Sequence, residues 1–484
     1  MTAASLHWFR DDLRLADNPA LAAAVAHGPT LCLYILDEGS TRRPLGGASR
    51  WWLSRSLERL ESALAEKGAG LVILRGDPEI LLPRVAAIAK IDLITWSRRY
   101  DGESVALDGR IKAELVAAGR KVTSFNAALL NEPWQVTTKT GDPMKVFTPY
   151  WRASRALGDP PAPLPAPQRI DIPKLPAELA AMTVSLPDLA LEPTKPDWAG
   201  GLRDAWTPGE ASAAALLHEF LSGSLSGYGE GRNRPDYVST SRLSPHLRFG
   251  EIGPRQIWHA TRSAIESGQA SANASDAEKF LSEIGWREFS YHLLFYNPSL
   301  ASENYNRRFD AFPWRRDEAA LSAWQRGATG YPIVDAGLRQ LWTTGWMHNR
   351  VRMITASFLI KHLLIDWRQG EEWFWDTLVD ADPANNAASW QWVAGSGADA
   401  APYYRIFNPV TQGLKFDPNG DYVRRWIPEI AKLANSDIHE PFKADPQALR
   451  RAGIALGETY PRPIVELDAG RRRALDALAA TRAD

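Results

Sequence analysis

In its first 125 residues the chain alternates five short apolar runs with four helix-period segments, and this alternation restricts the fold more than any other feature. The runs are Leu6–Phe9, Thr30–Ile35, Leu71–Leu74, Leu93–Trp96 and Lys121–Phe125. Between them lie Pro19–Ala26, Ala48–Lys67, Pro78–Ala89 and Ser104–Ala118, with apolar spacing near that of a helix. Asn18 and Asp77 each precede a proline, the pattern of an N-cap followed by proline in the first turn. Strand, helix and strand in succession predict a parallel sheet with right-handed crossovers. No Gly-x-Gly-x-x-Gly follows the first run, so the standard dinucleotide fingerprint is absent from this part.

Residues 131–208 change character. Pro160, Pro161, Pro163, Pro165, Pro167, Pro173, Pro176, Pro187, Pro193 and Pro196 forbid continuous helix or sheet and predict a long irregular connection. From about Pro208 the spacing is helical: Glu210–Leu221, Arg255–Ser267, Asp276–Phe295, Glu318–Gln325, Val334–Thr343, Asn349–Ile365, Glu371–Leu378 and Tyr422–Ile430. Gly330-Tyr331-Pro332 and Trp426-Ile427-Pro428 mark breaks. The chain has 484 residues, beyond the ~250–300 at which one core stops growing. The expected division is an α/β domain with a Rossmann-like parallel sheet over 1–130, a Pro-rich linker over 131–208, an all-α domain over 209–475 and a tail over 476–484.

Net charge is −1, so any nucleic-acid site must be a local basic patch. Cys32 is the only cysteine, which excludes an internal disulfide and a cysteine metal cluster and fits a reducing cytosol. The start, MTAASLHWFRDD, lacks the apolar run of a signal peptide. No stretch reaches the ~20 apolar residues of a membrane span. Even Val351–Trp367 is interrupted by Arg352, Lys361, His362 and Asp366. The basic run Arg471–Arg473 reads as a solvated helix end.

Residues 331–412 have an unusual mixture. Trp342, Trp346, Trp367, Trp373, Trp375, Trp390 and Trp392 crowd together with Arg350, Arg352 and Arg405 and with Asp380, Asp382, Asn385 and Asn386. Most of the chain's 20 tryptophans are expected to be core. The combination here suits a large planar, polar-edged cofactor beside a polyanion. The runs Gly345–Met353, Asp380–Asp382, Asn386, Trp390–Trp392 and Ala400–Pro409 resemble the flavin-binding region of the DNA photolyase and cryptochrome family. With Trp8–Asn18 and Tyr460–Val465 the resemblance spans nearly the whole chain, and several long motifs in order are far more specific than one short motif. Within the family the chain resembles a bacterial class I cyclobutane pyrimidine dimer photolyase.

The resemblance implies FAD, reduced and anionic in the active form. Thr240, Ser241 and Ser244 by themselves read as ordinary caps; the resemblance makes Thr240, Ser241, Arg242, Leu243 and Ser244 the cradle of the FAD pyrophosphate, with Tyr228 opening the contact. Arg352 is expected to pair with Asp380 beside the flavin ring, Asp382 to contact the flavin edge, and Asn349 to border the pocket. Asn386 is placed against flavin N5, where plant cryptochromes carry an aspartate and insect ones a cysteine. An amide has no proton to lose, which favours the anionic reduced flavin.

The resemblance also implies a substrate face. A lesion flipped out of DNA needs an aromatic pocket with a few polar groups. Trp286 and Trp392 are its expected walls, Glu283 the carboxylate on the pyrimidine edge, and Asn349 and Met353 further lining. Photolyases of six-four lesions place histidines at those last two positions for proton transfer, which asparagine and methionine do not perform. Arg232, Arg350 and Arg405 are expected on DNA phosphates. Trp390, Trp367 and Trp314 correspond to the family's electron-transfer chain. Arg50 and Asp101 are the candidate contacts of a second, antenna chromophore of folate or deazaflavin type, although Arg50 suits a helix-surface arginine equally. The expected activity is that of a deoxyribodipyrimidine photo-lyase, a carbon–carbon lyase acting on DNA that contains cyclobutane pyrimidine dimers. The rival is a cryptochrome-type blue-light photoreceptor. The expected setting is a monomer of the bacterial cytosol, with no membrane, metal or obligate protein partner.

Overall fold

The computed structural model describes residues 3–39, 42–268, 274–399 and 404–481. Residues 400–403 of the Ala400–Pro409 motif, and 482–484 of the expected tail, lie outside the described residues. The chain divides into two compact units. The first comprises 1–199, 206–226 and 241–298; the second comprises 200–205, 227–240 and 299–484.

The first unit is built on a five-stranded parallel sheet, β1 (Ala4–Phe9), β2 (Thr30–Asp37), β3 (Leu71–Gly76), β4 (Ile91–Ser97) and β5 (Lys121–Phe125), in the order β3-β2-β1-β4-β5. Each strand is one of the five expected runs, longer by a residue or more except at β5. The intervening helices are α1 (Pro19–His27), α2 (Gly47–Glu66), α3 (Pro78–Ile88) and α4 (Gly102–Ala117). Asn18 and Asp77 cap α1 and α3 through backbone N–H groups of Leu21 and Glu79, as their sequence setting requires. Leu6, Trp8, Leu33, Ile35, Ile94 and Trp96 from the strands form a buried core with Leu82 and Val85 of α3 and Ile111 of α4. Strand order reverses between β1 and β4, so the charged stretches that leave them, Arg10–Asp12 and Arg98–Asp101, flank the switch point.

The expectation of an irregular 131–208 is corrected in part. Phe147–Ala156 (α5), Ala177–Met182 and Gly200–Ala205 are helical. The last two fit in gaps between prolines, and Pro149 falls in the first turn of α5, where its missing N–H is harmless. The unit boundary does not follow the expected division at 130 and 208, because Glu210–Ser222, Pro254–Glu266 and Ala274–Tyr296 belong to the unit with the sheet.

The second unit is helical, with Pro332–Thr344, Asn349–Ser357, Trp367–Thr377, Asn385–Ala394 and Asp421–Trp426 packed around Trp324, Tyr331, Phe358, Trp367, Phe374 and Trp390. Asn349–Ile365 is not one helix. It stops at Ser357 and continues as a π turn, Phe358–His362, and Leu364 takes a left-handed φ of 60°. The wider turn is stabilised outside itself: Lys361 Nζ donates to the Arg405 carbonyl, His362 Nε2 bonds the Phe407 carbonyl at 3.1 Å, and Arg473 donates to the His362 carbonyl. Tyr422–Ile430 ends as a helix at Trp426, where Pro428 breaks it. Asn385–Ala394, Pro409–Phe416, Pro446–Ala452 and Leu467–Ala480 are helices that the apolar period did not reveal.

Helix Ala274–Tyr296 fastens the first part of the linker by two buried polar groups. Glu288 Oε2 accepts from Leu130 N–H at 2.7 Å, and burial pushes its carboxyl up to about 7. His292 Nε2 accepts from Met144 N–H at 2.9 Å while Nδ1 bonds the Pro133 carbonyl at 3.1 Å, an arrangement that needs a neutral ring. Burial pushes His292 down to about 4. The unfolded imidazole therefore takes a proton more readily than the native one. The contribution of His292 is complete above its unfolded value of ~6.5 and is lost as pH falls toward 4. Glu288 acts in the opposite sense: its burial penalty is largest above pH 7 and relaxes as pH falls. His292→Gln keeps both hydrogen bonds without the titration. Melting curves of the two proteins from pH 7 to 4 are expected to converge, with the unsubstituted protein losing more stability, and a gap independent of pH would refute this account.

Candidate functional site

In the second unit the polar groups of the Trp–Arg–Asp–Asn region are drawn together by a few hydrogen bonds. His348 is the N-cap of Asn349–Ser357, its Nδ1 accepting from Arg350 N–H at 3.2 Å. One turn on, Arg352 Nη2 reaches both carboxylate oxygens of buried Asp380, at 2.8 and 3.1 Å, and Arg352 Nε donates to the Met347 carbonyl at 2.8 Å. Asp382 Oδ1 accepts from Ala384 N–H, Asn385 N–H and the Asn385 amide at 2.7–2.9 Å. Asp382 thereby starts helix Asn385–Ala394, whose N-cap position holds Ala384, a residue with no capping group. Asn386 Nδ2 donates to the carbonyl of Glu371 at 3.0 Å and to its carboxylate at 2.8 Å. Glu371 was not expected. A pair 15 residues apart leaves no local sequence pattern.

Next to this group the basic side chains collect. Arg350 donates to Asn233 Oδ1 at 2.5 Å, lies 4.4 Å above the Phe416 ring and approaches Met353 Sδ at 3.8 Å. Arg232 lies over the ring of buried Tyr228 at 5.7 Å. Burial, reinforced by Arg350, Arg352 and Arg232, pushes His348 down to about 3, so its ring is neutral at ordinary pH. Asn349 is exposed and Arg352 and Met353 are half-buried. Thr240 is also half-buried. Arg405 is exposed on the segment that Lys361 and His362 hold.

The expected tryptophan chain has two fully enclosed members. Trp390 lies 5.0 Å from Phe374 and 6.2 Å from Trp324, ring to ring. Its ring presses on Gly370, where a Cβ would stand 2.2 Å from Cη2, so only glycine leaves room. Trp367 donates Nε1–H to Asn304 Oδ1 at 3.0 Å. Trp314 is half-buried, 4.3 Å from Phe312, and packs against the same core, as does half-buried Trp392. Between Trp390 and Trp392, buried Gln391 donates to the Leu300 and Glu303 carbonyls and accepts from Tyr305 N–H, which fixes the segment.

In the first unit Glu283 and Trp286 are half-buried, one turn apart on Ala274–Tyr296. One face of the Trp286 indole is covered by Phe147 at 3.7 Å and 10° between planes. Arg242 has a left-handed φ of 53°. The following helix, Ser244–Arg248, begins at exposed Ser244 with Leu243 at its N-cap, so the cap offers no side-chain acceptor. Asp101 caps α4 through Ser104 N–H at 2.9 Å; against the effect of burial, Arg42 holds its carboxyl below the usual range. Arg50 Nη2 donates to the Ala190 carbonyl at 3.2 Å. Both candidate antenna residues thus have ordinary structural duties.

Residues 280–480 match the family model described as the FAD binding domain of DNA photolyase, and residues 5–168 match that of DNA photolyase. Along 482 residues, 99% of this chain and 98% of the relative, the sequence is 53% identical to a deoxyribodipyrimidine photo-lyase of Agrobacterium fabrum. The chain belongs to the DNA photolyase family. Cryptochrome-1 of Arabidopsis thaliana is 40% identical over 98% of this chain and 70% of the plant protein. A crystal structure of a bacterial class III photolyase from Agrobacterium tumefaciens superposes with a TM-score of 0.95 at 52% identity, covering 100% of this chain and 98% of that one. The expected class I assignment is not decided by these likenesses, since that neighbour is of class III.

FAD is the family's cofactor, and the residues present fit it. The loop ahead of Ser244–Arg248, with the hydroxyls of Thr240, Ser241 and Ser244 along it, offers hydrogen-bond donors of the kind a pyrophosphate takes. The paired Arg352 and Asp380 and the fixed Asn386 amide offer both donors and acceptors to a polar-edged ring system. Removing one member of a buried ion pair leaves the other uncompensated. Arg352→Met is therefore expected to cost on the order of 3 kcal/mol in urea unfolding of the apoprotein. Arg352→Met with Asp380→Leu should recover most of that stability while FAD retention stays low. Recovery of both together would show that the pair serves folding alone.

Proposed function

We propose that this chain is a light-driven cyclobutane pyrimidine dimer photolyase with FAD as its working cofactor. The observation that carries this is the 53% identity, over almost the whole of both chains, to a deoxyribodipyrimidine photo-lyase. The cofactor, when bound and reduced, supplies an electron to the dimer on absorbing light and recovers it after the ring splits. The protein's part is to bind, orient and exclude. Thr240, Ser241, Arg242, Leu243 and Ser244 hold the pyrophosphate, with Tyr228 beside them. Arg352, Asp380, Asp382 and Asn349 hold the flavin, and Asn386 faces N5. The two acceptors on Glu371 fix which way the Asn386 amide points. Trp286 and Trp392 stack on the flipped bases. Since Phe147 occupies one face of Trp286, the base takes the other. Glu283 bonds the pyrimidine edge, while Asn349 and Met353 line the pocket. Arg232, Arg350 and Arg405 contact phosphates without reading sequence.

Asn349 and Met353 carry no transferable proton, and neutral, capping His348 supplies none in their place. This supports cyclobutane dimers rather than six-four lesions as substrate. Pre-reduced enzyme under near-ultraviolet light is expected to restore oligonucleotides bearing cyclobutane dimers and to leave six-four lesions intact. Repair of the six-four lesion alone would overturn the assignment. The cryptochrome-type photoreceptor reading draws on the likeness to the plant protein. The same assay decides it, because a photoreceptor without repair activity restores neither lesion.

The proposal extends to the domain roles, the sheet domain of 1–130 carrying any folate or deazaflavin antenna near Arg50 and Asp101, and 209–475 carrying FAD and DNA. It also extends to a monomer in the bacterial cytosol. Among the described residues no helix is long and apolar enough to cross a membrane. Trp390, Trp367 and Trp314 are proposed to relay electrons to the oxidised cofactor. Trp390→Phe keeps an aromatic body against Gly370 but removes an easily oxidised indole. Light-dependent reduction of the oxidised holoenzyme with an external donor should fall at least about tenfold, a barrier increase of ~1.4 kcal/mol. Dimer repair by chemically pre-reduced enzyme should persist. Equal loss of both would make Trp390 a packing residue only.

A further inference from the structure

The loop Ser241–Ser244 has a feature that its phosphate role does not explain. Arg242 is a non-glycine residue held in the left-handed region, φ 53°, immediately before the helix start. Such a conformation costs ~1–3 kcal/mol and persists only where surrounding structure fixes it. The fixing contacts lie in the same compact unit. The Arg242 guanidinium sits 4.1 Å above the ring of buried Trp206. Trp206 meets Trp52 of α2 edge to face at 5.4 Å. Trp52 Nε1–H donates to Glu251 Oε1 at 3.2 Å, and Trp52 also packs on His246 at 5.0 Å and on Phe249 at 6.2 Å. Glu251 closes the circuit: its Oε2 pairs with His246 Nδ1, and its N–H bonds the His246 carbonyl at 2.8 Å. His246 belongs to helix Ser244–Arg248, the one that Arg242 precedes. The helix is further pinned at its exit. Gly250, φ 65°, leaves no space for a Cβ, which would stand 2.1 Å from the Asp11 carbonyl oxygen, and the Gly250 carbonyl accepts from buried Arg14 at 2.9 Å.

We propose that Trp206 is a positioning residue for the FAD pyrophosphate. It holds the Arg242 side chain so that the backbone of Ser241–Ser244 keeps its strained course, and with it the direction in which the N–H groups at the helix start point. Trp52, Glu251 and His246 form the platform that holds Trp206 and the helix in fixed relation. The cation on Trp206 also stays beside the loop, where it favours a dianionic pyrophosphate without having to bond it. The inference rests on the reading that this loop carries the pyrophosphate, and the test separates the two.

Apoprotein prepared from the full chain is titrated with FAD, for the parent, Trp206→Leu, Trp206→Phe, Arg242→Gln, the Trp206→Leu/Arg242→Gln pair, and Ser241→Ala/Ser244→Ala. Trp206→Leu and Arg242→Gln are each expected to weaken FAD binding about fivefold or more, at the scale of a partly desolvated cation–π contact. The combined variant should be no weaker than the worse single one, because both remove one contact. Trp206→Phe should restore most of the affinity by returning an aromatic face. A structural role alone would show as lowered melting temperature of the apoprotein in proportion to the lost affinity. Here Arg242→Gln, a half-buried position, should leave the melting temperature within about 2 °C. Additive losses, unchanged affinity in Trp206→Leu, or a phenylalanine variant as weak as the leucine one would each overturn the proposal. If Trp206→Leu does not fold, Trp206→Phe against Arg242→Gln decides it, with equal losses counting against. Should Ser241→Ala/Ser244→Ala and Arg242→Gln both bind FAD normally, the loop itself has been misassigned, and that result is distinct from weakened binding in these two with unchanged affinity in Trp206→Leu, which is a failure at Trp206.

Discussion

The Arg352–Asp380 pair is the interaction on which the arrangement of the second unit turns. A guanidinium with two contacts to one carboxylate is geometrically specific, and the carboxylate is almost wholly enclosed. The pair ties the first turns of Asn349–Ser357 to the short stretch before Asn385–Ala394. Asp382 then starts that helix, and Asn386 joins it to Trp367–Thr377 through Glu371. Three helices are thus tied by a handful of polar bonds, and the fit of the Trp390 ring against Gly370 fixes the register of two of them. Folding by itself gives no reason for an ion pair here, since a well-packed apolar pair would serve stability as well or better. A polar-edged cofactor does give a reason.

The aromatic content of the second unit fills its core through a few specific ring contacts. Trp390 meets Trp324 and Phe374 edge to face at 6.2 and 5.0 Å, while Trp324 and Phe374 stack at 6.1 Å, so that the three rings fill the core together. Packing of this density explains why the segment from 331 to 412 combines tryptophans with glycines such as Gly370, whose missing side chain admits the Trp390 ring.

What the sequence disclosed, and what it withheld, follows from the range of the forces involved. The five strands and the caps Asn18 and Asp77 were legible because alternation and capping are local patterns. The Arg352–Asp380 pair was legible only through the family's motifs, as nothing in the spacing of 28 residues announces it. Helix Asn385–Ala394 escaped because it is buried on several sides, including at Asn386 and Gln391, so it has no clean apolar face. The π turn after Ser357 escaped because its cause lies elsewhere, in the carbonyls of Arg405 and Phe407 that draw Lys361 and His362 outward. Glu371, Asn304 and Gln391 are of the same kind. Each is an unremarkable polar residue in sequence whose partner is distant in the chain.

Several of the groups proposed to surround the cofactor and lesion share a property: they hold their protons still. Asn349, Met353 and Asn386 have none to give. The Asn386 amide is locked in one orientation, and the indole N–H of Trp367 is bonded to an amide oxygen too weakly basic to take its proton. His348 would be the natural proton carrier by type, yet burial among Arg350, Arg352 and Arg232 keeps its ring neutral far below physiological pH. A reaction in which an electron leaves and returns, with no net proton transfer, is best served by such surroundings, because a proton that followed the electron would trap it before the return. Lys361, pushed down to about 7 by burial and then by Arg405, bonds the Arg405 carbonyl on the stretch proposed to meet DNA phosphate.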